Sequence, residues 1–205
     1  MRIFRSLSVL AGLMLVSGAA LAQAPASSTT PGKPDIKEIG DWSVRCFPIE
    51  SPSPCDMYEE LDNKNTRQRV LSVSIAYIPS MDRHAIQISV PLGVALAKGV
   101  VIQTDNFTSA PLHYRQCDRS GCFVQMLLDN SAIDSLTKSG PEAKIKIVAD
   151  GGKPFDLRFS LNGFAAAHDS MVAQAKQKAK AAPKPGSSAT PKAPASIDAS
   201  TPAVK

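Results

Sequence analysis

Apolar and polar positions alternate along most of the middle of the chain. Residues 69–77, RVLSVSIAY, put Leu71, Val73, Ile75 and Tyr77 on one face of an extended backbone and Val70, Ser72, Ser74 and Ala76 on the other. HAIQISV (84–90) sets Ile86, Ile88 and Val90 against Gln87 and Ser89. AKIKIVA (143–149) sets Ile145, Ile147 and Ala149 against Lys144, Lys146 and Val148. FDLRFSL (155–161) sets Phe155, Leu157, Phe159 and Leu161 against Asp156, Arg158 and Ser160. GVVIQT (99–104) reads as another strand, and PLHYRQC and CFVQMLL flank the polar turn DRSG. CDMYEEL (55–61) shows the pattern more weakly. Short period-two segments divided by turn residues predict an all-β, antiparallel, two-sheet sandwich with one wet face on each sheet.

Two segments follow a helical period instead. NSAIDSLTKSG (130–140) pairs Ile133 with Leu136, with Ser131 as N-cap and Gly140 as stop. NGFAAAHDSMVAQAKQKAKAA places Phe164, His168, Met171, Val172 and Ala175 on one stripe, with Asn162 as cap and lysines in the last turns, where the helix dipole favours them. A short helix and a C-terminal helix docked on the sandwich follow from this.

The ends differ in kind from this body. Met1–Arg5 is basic, SLSVLAGLMLVSGA is uncharged and apolar, and Ala20 and Ala22 are small. That is the three-part pattern of a cleavable signal peptide over 1–22, cut after Ala22. Its apolar run is shorter than the ~20 residues a bilayer span needs. No later stretch is apolar enough to span, so the chain is expected in the periplasm or secreted. Residues 23–34 read as a disordered lead, 35–175 as the folded domain, and 176–205 as a disordered Ala/Pro/Lys-rich tail.

Charge divides the same way. The formal net charge is +5. Arg2 and Arg5 belong to the signal segment and six lysines to the tail, which leaves 15 basic and 17 acidic residues between Gln23 and Met171. The body is near neutral and the tail basic. Such a tail can touch anionic envelope polymers weakly, or serve as a solvated spacer. Nucleic acid is not an expected partner in that compartment.

Four cysteines, Cys46, Cys55, Cys117 and Cys122, enter an oxidising space in an exported chain and become disulfides. Four allow three connectivities. The local one, Cys46 with Cys55 and Cys117 with Cys122, is expected because each pair brackets turn residues and facing strands bring Cα atoms close enough to bridge. Zinc knuckles space cysteines by two to four residues. Here the intervening counts are eight and four, with no C-x-x-C.

Candidate chemistry is sparse. His84, His113 and His168 form no helical metal pair; His84 is placed at a strand start, His113 mid-strand and His168 on the last helix. No nucleophile elbow, phosphate loop or dinucleotide fingerprint occurs. Glu59 and Glu60 are strand neighbours, so they point to opposite faces and read as solubilising residues near a turn. Trp42, the single tryptophan, reads as a core anchor beside a disulfide. No catalytic, cofactor-binding or metal-binding residue is assigned.

GDWSVRC (40–46), the second cysteine in a Pro-rich turn, PLGVALAKGVVIQTD (91–105), CDRSGCFVQMLLD (117–129) and FDLRFSLNGFAAAHDSM (155–171) together resemble the invasion-associated locus B family of small exported alphaproteobacterial proteins. The resemblance spans about residues 38–172. It implies an immunoglobulin-like β-sandwich in the periplasm or envelope, with founding members associated with bacterial invasion of red blood cells. It supplies no enzyme or cofactor. The expected function is a non-enzymatic, disulfide-stapled envelope protein that meets an unknown protein or envelope partner. The rival expectations are a small periplasmic hydrolase or carbohydrate-acting enzyme, or a stress or chaperone-like factor.

Overall fold

Alternation becomes two stacked sheets in the computed structural model, which describes residues 32–181. The larger sheet runs, in spatial order, β1 (Asp35–Ile39), β2 (Trp42–Cys46), β3 (Cys55–Asp62), β4 (Arg69–Ile78), β5 (Arg83–Val90), β8 (Gly121–Leu128) and β7 (Tyr114–Asp118). The smaller runs β10 (Pro154–Ser160), β9 (Glu142–Val148) and β6 (Val101–Gln103). Every pairing is antiparallel. Expectations for residues 1–31 and 182–205 fall outside the described residues.

The inner face of the large sheet carries Val44, Met57, Leu71, Val73, Ile75, Ile86, Ile88 and Val124, all buried. Ile102, Ala143, Ile145 and Phe159 meet them from the small sheet. Helix α2 (Phe164–Ala181) rests on β2, β3 and β4 and buries Phe164, Ala167, Met171 and Ala175. It extends past the boundary expected at residue 175, so Lys176, Lys178 and Lys180 are helical. Helix α1 (Asn130–Thr137) buries Ala132, Ile133 and Leu136.

Both expected caps are displaced. The N-cap of α1 is Asp129, with no side-chain cap bond, and Ser131 lies inside the helix. Asn162 donates its amide to Asp41 Oδ2 at 3.4 Å, while the Gly163 carbonyl receives the Ala167 N–H at 2.8 Å. A tertiary partner outcompetes the local cap at Asn162. The reason is a close crossing between the β1–β2 turn and the start of α2. Gly40 (φ 62°) and Gly163 (φ 80°) both sit in the left-handed region. A Cβ on Gly163 would lie 2.5 Å from the Ile39 carbonyl oxygen, and one on Gly40 would lie 2.4 Å from that of Asn162.

Two strands escaped the sequence reading. The five-residue β2 alternates but is short, and β1 is a polar edge strand with only Ile39 part-buried. β3, read as weak, is a full strand in the interior of the large sheet. His113, expected mid-strand, lies in the connection just before β7.

Candidate functional site: a stapled sheet with three polar clusters

Cys46 and Cys55 stand directly opposite each other on β2 and β3 and are bonded, with Cα atoms 4.1 Å apart. Cys117 and Cys122 stand opposite on β7 and β8 and are bonded, with Cα atoms 4.0 Å apart. No cysteine is free. The first hairpin closes over 47–54, where the Phe47 N–H donates to the Pro54 carbonyl at 2.9 Å. The second turns tightly because Asp118 Oδ1 accepts both the backbone N–H of Ser120, at 2.7 Å, and its hydroxyl, at 2.6 Å. Those bonds hold the Asp118 carboxyl below its ordinary range.

The first polar cluster ties the two sheets together around Trp42. The indole is fully buried, edge-on to Phe159 at 6.3 Å and Phe164 at 5.2 Å between centroids. Its Nε1–H donates to the Ser160 carbonyl at 3.1 Å. The Ser160 N–H donates to Glu59 Oε1 at 2.8 Å, and the Ser160 hydroxyl donates to Asp41 Oδ2 at 2.6 Å. Glu59, expected at the surface, is therefore a buried strap between sheets. It shares the inner face of β3 with Met57. Its Oε2 is buried without a partner. Burial pushes its carboxyl from 4.5 up to about 7; the Ser160 bond opposes this and the Asp41 charge adds to it. A cavity of about 560 Å³ opens beside it, bordered by Glu60, Glu142 and Arg158.

The second cluster lies on the outer face of the large sheet. Arg45 grips Asp56 with two bonds, Nε–Oδ1 at 2.9 Å and Nη2–Oδ2 at 2.5 Å. The Ser74 hydroxyl adds a third bond to Asp56 Oδ2 at 2.7 Å. The guanidinium stacks 3.8 Å above the Tyr58 ring centroid. This fork-on-fork pairing is stiff and directional. Next to it the small residues Ser74, Ala76 and Ala85 floor a hollow of about 420 Å³ walled by Gln87, Arg115 and Leu127. Leu127 is 41% exposed there.

The third cluster could not be read along the chain, because its histidines are 84 residues apart. His84 on β5 and His168 on α2 meet through their Nε2 atoms at 2.9 Å. His84 Nδ1 faces Asn130 Oδ1 at 3.1 Å, and His168 Nδ1 faces Asp169 Oδ1 at 3.3 Å. Burial lowers His84 most; the Asn130 bond opposes this, His168 lowers it further and Asp82 raises it. Among the described residues, no three His, Cys, Asp or Glu side chains are grouped to hold a metal ion.

The molecule is thus a disulfide-linked, two-sheet β-protein whose last helix plugs one side of the core. A family described as invasion associated locus B (IalB) protein matches residues 42–172. The chain belongs to that family. Two Brucella abortus proteins described as invasion protein B homologues, from strains 2308 and 9-941, are each 28% identical to it over 137 residues, or 66% of this chain and 78% of theirs. The crystal structure of invasion associated protein B from Bartonella henselae shares the fold, with a TM-score of 0.60 at 24% identity, over 70% of this chain and 98% of that one.

Proposed function

We propose that this is an exported, non-enzymatic envelope protein that offers the outer face of its large sheet to a partner. The carrying observation is that all four cysteines are bonded between facing strands. Such bonds persist in oxidising compartments and are rare in reducing ones. The leader pattern at residues 1–22 supports the same placement, periplasmic or secreted. The names of the Brucella and Bartonella relatives associate them with invasion. Contact with a host cell or another envelope component is the corresponding role here.

The outer face suits recognition because its Arg45–Asp56–Ser74 cluster fixes the side chains around an open hollow. The hydrolase reading finds its best carboxyl in Glu59. That group spends one oxygen on the Ser160 N–H and keeps the other out of solvent, so it serves the sandwich instead of a substrate. The basic C-terminal tail adds weak attachment to anionic polymers.

Fractionating the producing bacterium tests the placement. The mature chain should begin at Gln23, lie outside the cytoplasm and react with a thiol reagent only after reduction. A cytoplasmic, full-length chain with reactive thiols would overturn it. A photo-crosslinker at position 125 should capture a partner that Leu127→Asp loses; capture unaffected by Leu127→Asp would move the binding surface elsewhere.

A further inference from the structure

We infer that His84 and His168 form a one-proton latch that holds helix α2 on the large sheet and lets go when acid supplies a second proton. The outer nitrogen of His84 fixes the tautomer of that ring. Asn130 Nδ2 points to the Asp82 carbonyl at 3.5 Å, which leaves Oδ1 toward the imidazole. An amide oxygen only accepts, so His84 Nδ1 carries a hydrogen. Its Nε2 is then an acceptor, and the hydrogen of neutral His168 sits on Nε2 to meet it, the long 3.3 Å contact from His168 Nδ1 to the exposed Asp169 carboxylate being the weaker claim on it.

The two Nε2 atoms meet at 2.9 Å, with ring centroids 5.0 Å apart, so the rings face each other through Nε2. That is a hydrogen-bond distance. One hydrogen between the nitrogens satisfies both and leaves the pair neutral. An added proton takes the His84 Nε2 lone pair and sets two N–H groups against each other at the same spacing, which a half-buried site resists. The bond that joins β5 to α2 then becomes a repulsion.

The surroundings bear on this balance from each side. From β4, the Tyr77 ring lies 5.2 Å from His84, and its hydroxyl donates to Asp82 at 2.5 Å. Asp82 is the nearest carboxylate from the β4–β5 turn. Lys176 of α2 stands 5.2 Å over the Tyr77 ring and Asp169 faces solvent. Arg83 is neutralised by Asp129 at 2.8 Å. From α1 the neighbour is neutral Asn130. Asp82 and Asp169 favour charge from the outer sides of the rings, but none of these groups lies between the rings to relieve two N–H groups that face each other. Beyond His168, α2 buries Met171 and Ala175 completely, and release would bare them together with the sheet they cover.

Hydrogen exchange on the full chain tests the latch. After correction for intrinsic rates, amide protection in α2 beyond His168 should fall about tenfold or more between about pH 8 and about pH 5, while β4 and β5 stay protected. His168→Gln supplies a neutral amide donor in place of the imidazole and should keep α2 docked with a flat pH profile. Flat wild-type protection, or an unchanged slope in His168→Gln, would sink the proposal. Ring-nitrogen NMR of the wild-type chain gives an answer that needs no variant. At neutral pH His84 should carry its hydrogen on Nδ1 and His168 on Nε2, with that hydrogen bonded to His84 Nε2. Two independently titrating rings would refute it.

Discussion

Glu59 shows how one residue departs from its sequence environment. On β3 it occupies an inward position between Met57 and Leu61, where an apolar side chain would be the easy choice. That single inward acid is why CDMYEEL reads as a poor strand. Its neighbour Glu60 does face solvent, so the opposite-face argument holds while the surface assignment of Glu59 fails. The folded state raises the Glu59 carboxyl to about 7 from 4.5. Between those values the folded chain keeps a proton that the unfolded chain has released. Its contribution to stability is complete below about 4.5 and is lost as pH rises to about 7. Glu59→Gln keeps an acceptor for the Ser160 N–H and carries no charge. Urea unfolding should show the variant gaining up to about 3 kcal/mol on the wild type between about pH 4.5 and about pH 8. An identical pH profile in the two proteins would contradict the buried-acid account.

Among the elements, those with two contrasting faces were legible. β4, β5, β9 and the first half of β8 alternate because one side meets the core and the other meets water. The face chosen for β4, with Leu71, Val73, Ile75 and Tyr77 inward, is the buried one. The stripe of α2 was legible through Phe164, Met171 and Ala175 for the same reason. β1 was not, because an edge strand with an exposed face carries no apolar signal. The caps failed where long-range contacts intervene, and the turn–helix crossing at Gly40 and Gly163 is the clearest case. Gly163→Ala forces a left-handed backbone on a residue with a side chain and drives its Cβ against the Ile39 carbonyl. It should cost about 2 kcal/mol or more by chemical denaturation, with the near-ultraviolet signal of Trp42 altered because α2 starts beside it. Wild-type stability in this variant would mean the crossing is loose.

For the whole molecule, the disulfides and the two pH-sensitive clusters set the response to conditions. His84 is held below its ordinary value, so the unfolded chain takes up its proton first and stability from this site is lost as pH falls. Glu59 has the opposite slope. Wild-type stability should therefore vary less across about pH 5 to 7 than that of Glu59→Gln, measured by thermal unfolding. A Glu59→Gln profile no steeper than wild type would show that the two sites do not offset each other. Reducing both disulfides should lower stability by roughly 2–3 kcal/mol each in the chain-entropy picture, since both close short loops.

Among the described residues the large sheet also ends in two open borders, and their make-up bears on how copies of the chain treat one another. β1 presents Asp35, Lys37 and Glu38 at one margin, and at the other β7 breaks step between Tyr114 and Gln116 and is pinned at Cys117. Alternating charge at one lip and a kinked, tethered lip opposite deny a neighbouring molecule the straight, bare backbone that fibril growth requires. Crowded molecules should stay separate particles, and neutralising β1 is where filament formation would begin.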